Sequence, residues 1–66
     1  MKICEFVKPE IVYLISVCNF TEDENTFFEL RCTNTSIEEC AERMNISVST
    51  AKRLNKRVIH KIEKVM

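Results

Sequence analysis

The chain has 66 residues, with no glycine, one proline, 45% hydrophobic residues and 30% charged residues. A chain of this length forms one domain with a small core, which excludes an active-site cleft between two domains. The absence of glycine argues against a glycine-rich phosphate-binding loop and against a sheet with tight turns. We therefore expect a single all-α domain over residues 1–66, a bundle of three or four helices that follows an N-terminal arm at 1–8.

The charges are unevenly divided along the chain, although the formal net charge is zero. Residues 1–42 carry three bases and nine acids, which gives −6, and residues 43–66 carry seven bases and one acid, which gives +6. A basic segment of this kind is typical of a protein that binds a polyanion. A solvated helix face explains it equally well, so charge alone makes nucleic acid a candidate partner and no more.

The chain contains four cysteines and a single histidine, and their spacing is not that of a metal site. The number of cysteines allows two disulfides, but Cys18 and Cys40 occupy apolar periodic positions, as small core residues do. No small-residue cleavage site of a signal peptide follows Met1, and the apolar run at 11–17 is too short to cross a bilayer. We expect reduced thiols, no metal, no membrane partner and a cytoplasmic, nucleoid-associated location.

The first helix is predicted at 9–18, because Pro9 suits a first helical position and an apolar run follows it. This run is apolar almost all round, so its pattern alone does not separate a buried helix from a strand. The helical character of everything downstream favours a helix. Either the rest of the domain buries all of its apolar surface, or part of it serves a homodimer or another partner.

Two capping boxes predict where the next two helices begin. In the first, Thr21 precedes Glu24 by three residues, and in the second Ser36 precedes Glu39 by the same interval. The acids in these first turns also suit the positive ends of the helices. The predicted bounds of the two helices are 22–32 and 37–44.

A helix-turn-helix is predicted where the helix at 37–44 gives way to a basic helix at 48–64. Such a motif needs a small residue where the two helices cross, and Ala41 is placed there. Its turn needs a residue that accepts positive φ, which Asn45 does. The residue after it, Ile46, then anchors the turn in the core.

The basic helix also carries an apolar stripe with spacings of 3, 4, 4 and 3 residues, formed by Ala51, Leu54, Val58, Ile62 and Val65. Packing against the first two helices is the favoured explanation of this stripe. A homodimer seam at the end of the helix 48–64 is the alternative, and a two-fold would double the DNA site.

Residues 48–57 are the predicted recognition helix, which enters the major groove of double-stranded DNA. Arg53 suits a bidentate contact with guanine, and Ser49 suits several bases. The other basic residues suit phosphates, as do hydroxyls beside helix N-termini. The full set of candidate DNA-binding residues is Ser36, Ser47, Val48, Ser49, Thr50, Lys52, Arg53, Lys56 and Arg57.

The stretch from Phe20 to Ile62 resembles region 4 of bacterial sigma factors and, nearly as closely, the LuxR-type output domain. The resemblance rests on the acid-capped helix after Thr21, on the S-x-x-E-[apolar]-A element from Ser36, and on the I-S-x-x-T-[apolar]-K element from Ile46. A helix before Thr21 favours the sigma type. The resemblance implies transcription regulation by promoter or operator binding and, for sigma factors, contact with RNA polymerase.

One departure from both families bears on the site, since they usually carry a polar residue at the Leu54 position and an apolar one at Asn55. This reversal predicts a slight rotation of the recognition helix. A competing function is a protein-interaction module that docks on RNA polymerase or another regulator without DNA contacts of its own. The sequence shows no catalytic pattern and no cofactor motif, so we expect neither an enzyme nor a bound cofactor.

Overall fold

Four α-helices and a short 3-10 helix ahead of them make up the fold, in a computed structural model that describes residues 3–66. The α-helices are α1 (Lys8–Val17), α2 (Glu22–Cys32), α3 (Ile37–Met44) and α4 (Val48–Val65). No strand occurs between residues 3 and 66. The predicted all-α bundle is confirmed, and α2 and α3 have the predicted bounds. Those of α1 and α4 differ from the prediction by one residue.

The segment ahead of α1 contributes to the core instead of forming a separate arm. Ile3–Glu5 form the 3-10 helix, which packs on α2, and Ile3 is buried. An isoleucine side chain gains free energy by leaving water, which explains why this part of the predicted arm at 1–8 lies against the domain. Met1 and Lys2, the first two residues of that arm, lie outside the described residues.

The first capping box forms completely and the second forms by half. The Thr21 hydroxyl accepts the Glu24 N–H at 3.2 Å, and the Glu24 carboxylate accepts the Thr21 N–H at 3.0 Å. At α3, the Ser36 hydroxyl accepts the Glu39 N–H at 3.1 Å. The Glu39 carboxylate forms an ion pair with Arg43 at 3.4 Å, one turn along the helix, and does not return to the cap.

Each connection between α-helices contains one asparagine with a positive φ of 53°, 62° or 57°, at Asn19, Asn34 and Asn45 respectively. Asparagine tolerates this left-handed conformation better than most residues other than glycine. After α3, the Asn45 N–H donates to the Glu42 carbonyl at 3.2 Å, and the Ile46 N–H donates to the Ala41 carbonyl at 3.0 Å. These two bonds define a Schellman motif and confirm the predicted role of Asn45.

The core lies where α4 packs against both α2 and α3. Phe27 and Phe28 of α2 are fully buried, and the ring of Phe28 lies 5.1 Å from that of Phe20. Within the predicted stripe on α4, the fifth residue, Val65, is 37% exposed, and the first four are buried: Ala51, Leu54, Val58 and Ile62. The stripe therefore serves the core, except at its last position.

Helix α1 contributes little to the core, because Leu14 is its only buried residue. Cys18, which directly follows α1, is also buried, as is Cys40 on α3, so the predicted core positions of these two thiols are confirmed. Val12 and Tyr13 remain 61% and 55% exposed. Of the two alternatives for the apolar surface of α1, the structure thus selects incomplete burial.

Candidate nucleic-acid interface

A basic face runs along the outer side of α4 from its first turn. At 3.6 residues per turn, Ser49, Lys52, Arg53 and Lys56 fall within an arc of about 100°, on the side away from the buried stripe. All four side chains are exposed, and so is that of Arg57, which borders the same face. The helix therefore holds the predicted base-contacting and phosphate-contacting residues together on one surface.

The start of α4 is fixed by two of the predicted site residues. The Ser47 hydroxyl accepts the Thr50 N–H at 3.1 Å, and the hydroxyls of Ser47 and Thr50 lie 2.9 Å apart. One hydroxyl proton of this pair stays available to a phosphate, as does that of Ser36. Ser36 lies apart from this pair, at the start of α3. Val48, the first residue of α4, is 39% exposed.

The basic residues of the last third of the chain are not equally available to a polyanion. Lys61 is paired with the buried Glu24, and Arg43 is paired with Glu39. Four predicted contact residues form no ion pair with any part of the chain between residues 3 and 66: Lys52, Arg53, Lys56 and Arg57. The positive charge that is free to attract an anion is thus concentrated in the first half of α4.

The reversed pair at Leu54 and Asn55 does not turn the basic face away from solvent. Leu54 is buried, and Asn55 is half-buried beside it. The Asn55 Oδ1 atom is buried and has no hydrogen-bond partner in the described part of the chain. An unpaired buried carbonyl is costly, and replacing the usual apolar residue with Asn55 therefore puts strain on the core side of α4 and leaves its outer face intact.

His60 adds to this surface and was not among the predicted site residues. It is exposed, four residues after Lys56, which places it on the same side of α4. The spacing of four residues was the signal that identifies it. Its side chain extends the polar face toward the end of the helix.

The remaining chemistry of the described residues offers no alternative site of comparable content. No three His, Cys, Asp or Glu side chains between residues 3 and 66 come together as ligands for a metal ion. Burial raises the pKa of the Cys18 and Cys40 thiols. Burial, aided by the charges of Glu29 and Cys4, raises the pKa of Cys32 to about 11.

None of the helices within residues 3–66 has both the length and the apolar character needed to cross a bilayer. A comparison of the chain with protein-family models, with curated proteins and with solved structures gave no match. The resemblance to sigma region 4 accordingly stays a prediction from the sequence elements described above.

Proposed function

We propose that this protein binds double-stranded DNA sequence-specifically, with residues 48–57 of α4 as the recognition helix, and acts as a transcription regulator of the sigma region 4-like type. The observation that supports this most strongly is the exposed basic face of α4. Its residues Lys52, Arg53, Lys56 and Arg57 have no acidic partner in the described chain. A regulator of this kind would be associated with the nucleoid.

The proposed division of labour follows from the chemistry of each side chain. Arg53 carries a planar fork of donors that matches O6 and N7 of guanine, and the Ser49 hydroxyl both donates and accepts. Lys52, Lys56 and Arg57 would neutralise phosphates and set the register of the helix on the duplex. The free hydroxyl protons at the starts of α3 and α4 would add phosphate contacts where the helix dipole is positive.

The experiment is fluorescence-anisotropy binding to a pool of random duplexes. Four to six phosphate contacts predict that affinity falls about 10²- to 10³-fold when salt rises from about 50 mM to about 200 mM. The variant Arg53→Ala/Lys56→Ala should bind at least about tenfold more weakly at the lower salt concentration, because it loses two contacts on the basic face. A site selected from the pool should then show a loss of about 1–3 kcal/mol for Arg53→Ala at one base pair.

Lys8→Ala supplies the control, because Lys8 is an exposed base of α1 that lies outside the proposed interface. It should bind random duplexes within about twofold of the unmodified protein, as expected for a charge outside the contact set. Absence of binding at low salt, or equal losses in the Lys8 and Arg53 variants, would overturn the recognition-helix proposal.

The second candidate function is a protein-interaction module that docks on RNA polymerase or another regulator. The exposed apolar side chains of Val12 and Tyr13 on α1 favour it. An apolar interface depends weakly on salt and should be indifferent to Arg53→Ala/Lys56→Ala. Binding of RNA polymerase with these two properties, together with no binding of DNA, would select this second function.

A further inference from the structure

An apolar groove of about 340 Å³ lies between α1 and the end of α4. Its lining residues come from the segment before α1, from α1 itself and from the last residue of the chain, and they are Phe6, Pro9, Glu10, Tyr13, Leu14 and Met66. The volume lies at the lower end of the range for small-molecule pockets. The groove therefore suits one or two large side chains better than an extended ligand.

The rim of this groove carries protruding apolar side chains beside the recess. Tyr13 is 55% exposed and Met66 is 70% exposed, although both line the groove. A surface that presents a knob next to a hole is complementary to itself, because a two-fold axis lets each copy fill the other. Tyrosine suits this role, since it supplies a large contact area with few rotatable bonds.

Charge complementarity also favours a second copy of the chain as the occupant. Glu10 is the charged residue on the α1 side of the groove, and Lys64 is exposed on the last turn of α4. Neither forms an ion pair with any residue from 3 to 66. A two-fold axis that runs along the groove brings Glu10 of one copy opposite Lys64 of the other. The perpendicular axis would bring like charges together.

The size of the surface sets the expected strength. Covering the exposed side chains on and beside the groove buries on the order of 500 Å² per chain, which is below the roughly 800 Å² per partner of a standard stable interface. Self-association is therefore weak in free solution. It leaves the basic face of α4 uncovered, because the groove lies at the opposite end of that helix.

We propose that this groove binds a second copy of the chain about a two-fold axis, with each Tyr13 inserted in the partner's groove and Glu10 paired across the axis with Lys64. The use of this dimer rests on the proposed function: two recognition helices would read two DNA half-sites. Self-association itself does not depend on DNA, so the two ideas can fail separately.

The test is sedimentation equilibrium of the full chain without DNA, in the presence of a reductant because the Cys4 thiol is exposed. The unmodified protein should dimerise between about 10 µM and about 1 mM, the range expected for a small interface. Tyr13→Ser should weaken dimerisation at least about tenfold. Val12→Ser is the matched control, since Val12 is equally exposed on α1 but does not line the groove, and it should stay within about twofold.

A charge exchange separates a second copy from any other occupant. Lys64→Glu should weaken the dimer by placing two acids opposite each other, and the double variant Glu10→Lys/Lys64→Glu should restore it. Helical circular dichroism checks that each variant is folded. A chain that is monomeric at about 1 mM, equal losses in the Tyr13 and Val12 variants, or no rescue by the exchange would each overturn the dimer. DNA binding by a monomeric chain would leave the proposed function standing.

Discussion

Lys61 on α4 forms an ion pair with the Glu24 carboxylate on α2, and Glu24 is only 3% exposed. The same ammonium group donates to the Asn19 carbonyl at 3.3 Å, and Glu24 also accepts the Thr21 N–H. One lysine thus joins the second half of α4 to the connection between α1 and α2. Burial by itself raises the pKa of Glu24, but the hydrogen bond and charge of Lys61, with the bond from Thr21, outweigh it and hold that pKa below its ordinary value.

Replacing Lys61 should cost more stability than replacing a neighbouring lysine. In Lys61→Met the Glu24 carboxylate stays buried without its cation, and we expect a loss of about 2 kcal/mol, reduced from the cost of a fully buried pair because Lys61 is partly exposed. The melting temperature should fall by about 10 °C in a chain of this size. Lys64→Met, an exposed lysine on the same helix, should change the free energy of unfolding by less than about 0.5 kcal/mol. Urea titration followed by circular dichroism measures both, and equal effects would contradict the role of the pair.

The Glu24–Lys61 pair also predicts how stability depends on pH. Because the folded-state pKa of Glu24 is lowered from 4.5, its contribution is present above that value and is lost as the pH falls through the lower folded-state pKa. In Lys61→Met the effect of burial loses its main counterweight, so the pKa of this carboxyl rises and protonation favours the folded state. The stability deficit of the variant should therefore shrink between about pH 7 and about pH 3. A deficit that is constant over this range would show that Lys61 acts through packing and not through Glu24.

The local features of the fold could be predicted from the sequence, and the long-range ones could not. Thr21 and Asn45 act within one helical turn of their own positions, so residue type and spacing were enough to identify them. The Glu24–Lys61 pair joins residues that are far apart in sequence, and no local pattern indicates it. The second capping box formed by half because Arg43 competes for Glu39, a choice between two local partners that spacing alone does not decide.

The same distinction applies to the candidate site. The 3.6-residue period was sufficient to predict that Lys52, Arg53 and Lys56 share one exposed face. Which bases remain free depended on tertiary contacts, as Lys61 shows. The exposure of α1 likewise could not be predicted, because an apolar helix looks the same in sequence whether neighbouring helices cover it or not.

The left-handed conformation of Asn45, with φ 57° and ψ 46°, predicts opposite effects of one substitution at two asparagines. Asn45→Ala should cost about 1 kcal/mol, because alanine disfavours this region. Asn25→Ala should be neutral or stabilising by up to about 1 kcal/mol, since alanine favours the helix and the change removes a buried Oδ1 atom without a partner in the described chain. Asn45→Gly should keep the native stability within about 0.5 kcal/mol. Chemical denaturation compares the three, and a loss in Asn45→Gly as large as in Asn45→Ala would indicate that the side chain of Asn45 matters more than its φ.

The thiols should react in an order set by burial. Cys4 is exposed and should be alkylated first, whereas Cys18 and Cys40 are buried and should react only when the chain unfolds. Cys32 is half-buried with a pKa of about 11, so little of it is thiolate near neutral pH, and it should react at least about tenfold more slowly than Cys4. Iodoacetamide labelling followed by mass spectrometry gives the four rates. Rapid labelling of Cys18 or Cys40 in the folded chain would be inconsistent with this packing.

The contact between α3 and α4 should be sensitive to added volume. Ala41 is 3% exposed and Ala51 is fully buried, and both belong to the core where these helices meet. In Ala41→Leu the larger side chain has to push α3 away from α4, at a cost of about 1–3 kcal/mol. Glu42→Leu adds the same residue at the next, exposed position and should change the free energy of unfolding by less than about 0.5 kcal/mol. If urea titration gave equal values for the two variants, the close approach of α3 and α4 at Ala41 would be disproved. If only Ala41→Leu is destabilised, the position of the basic face depends on this small residue, and DNA affinity should decline in the same variant.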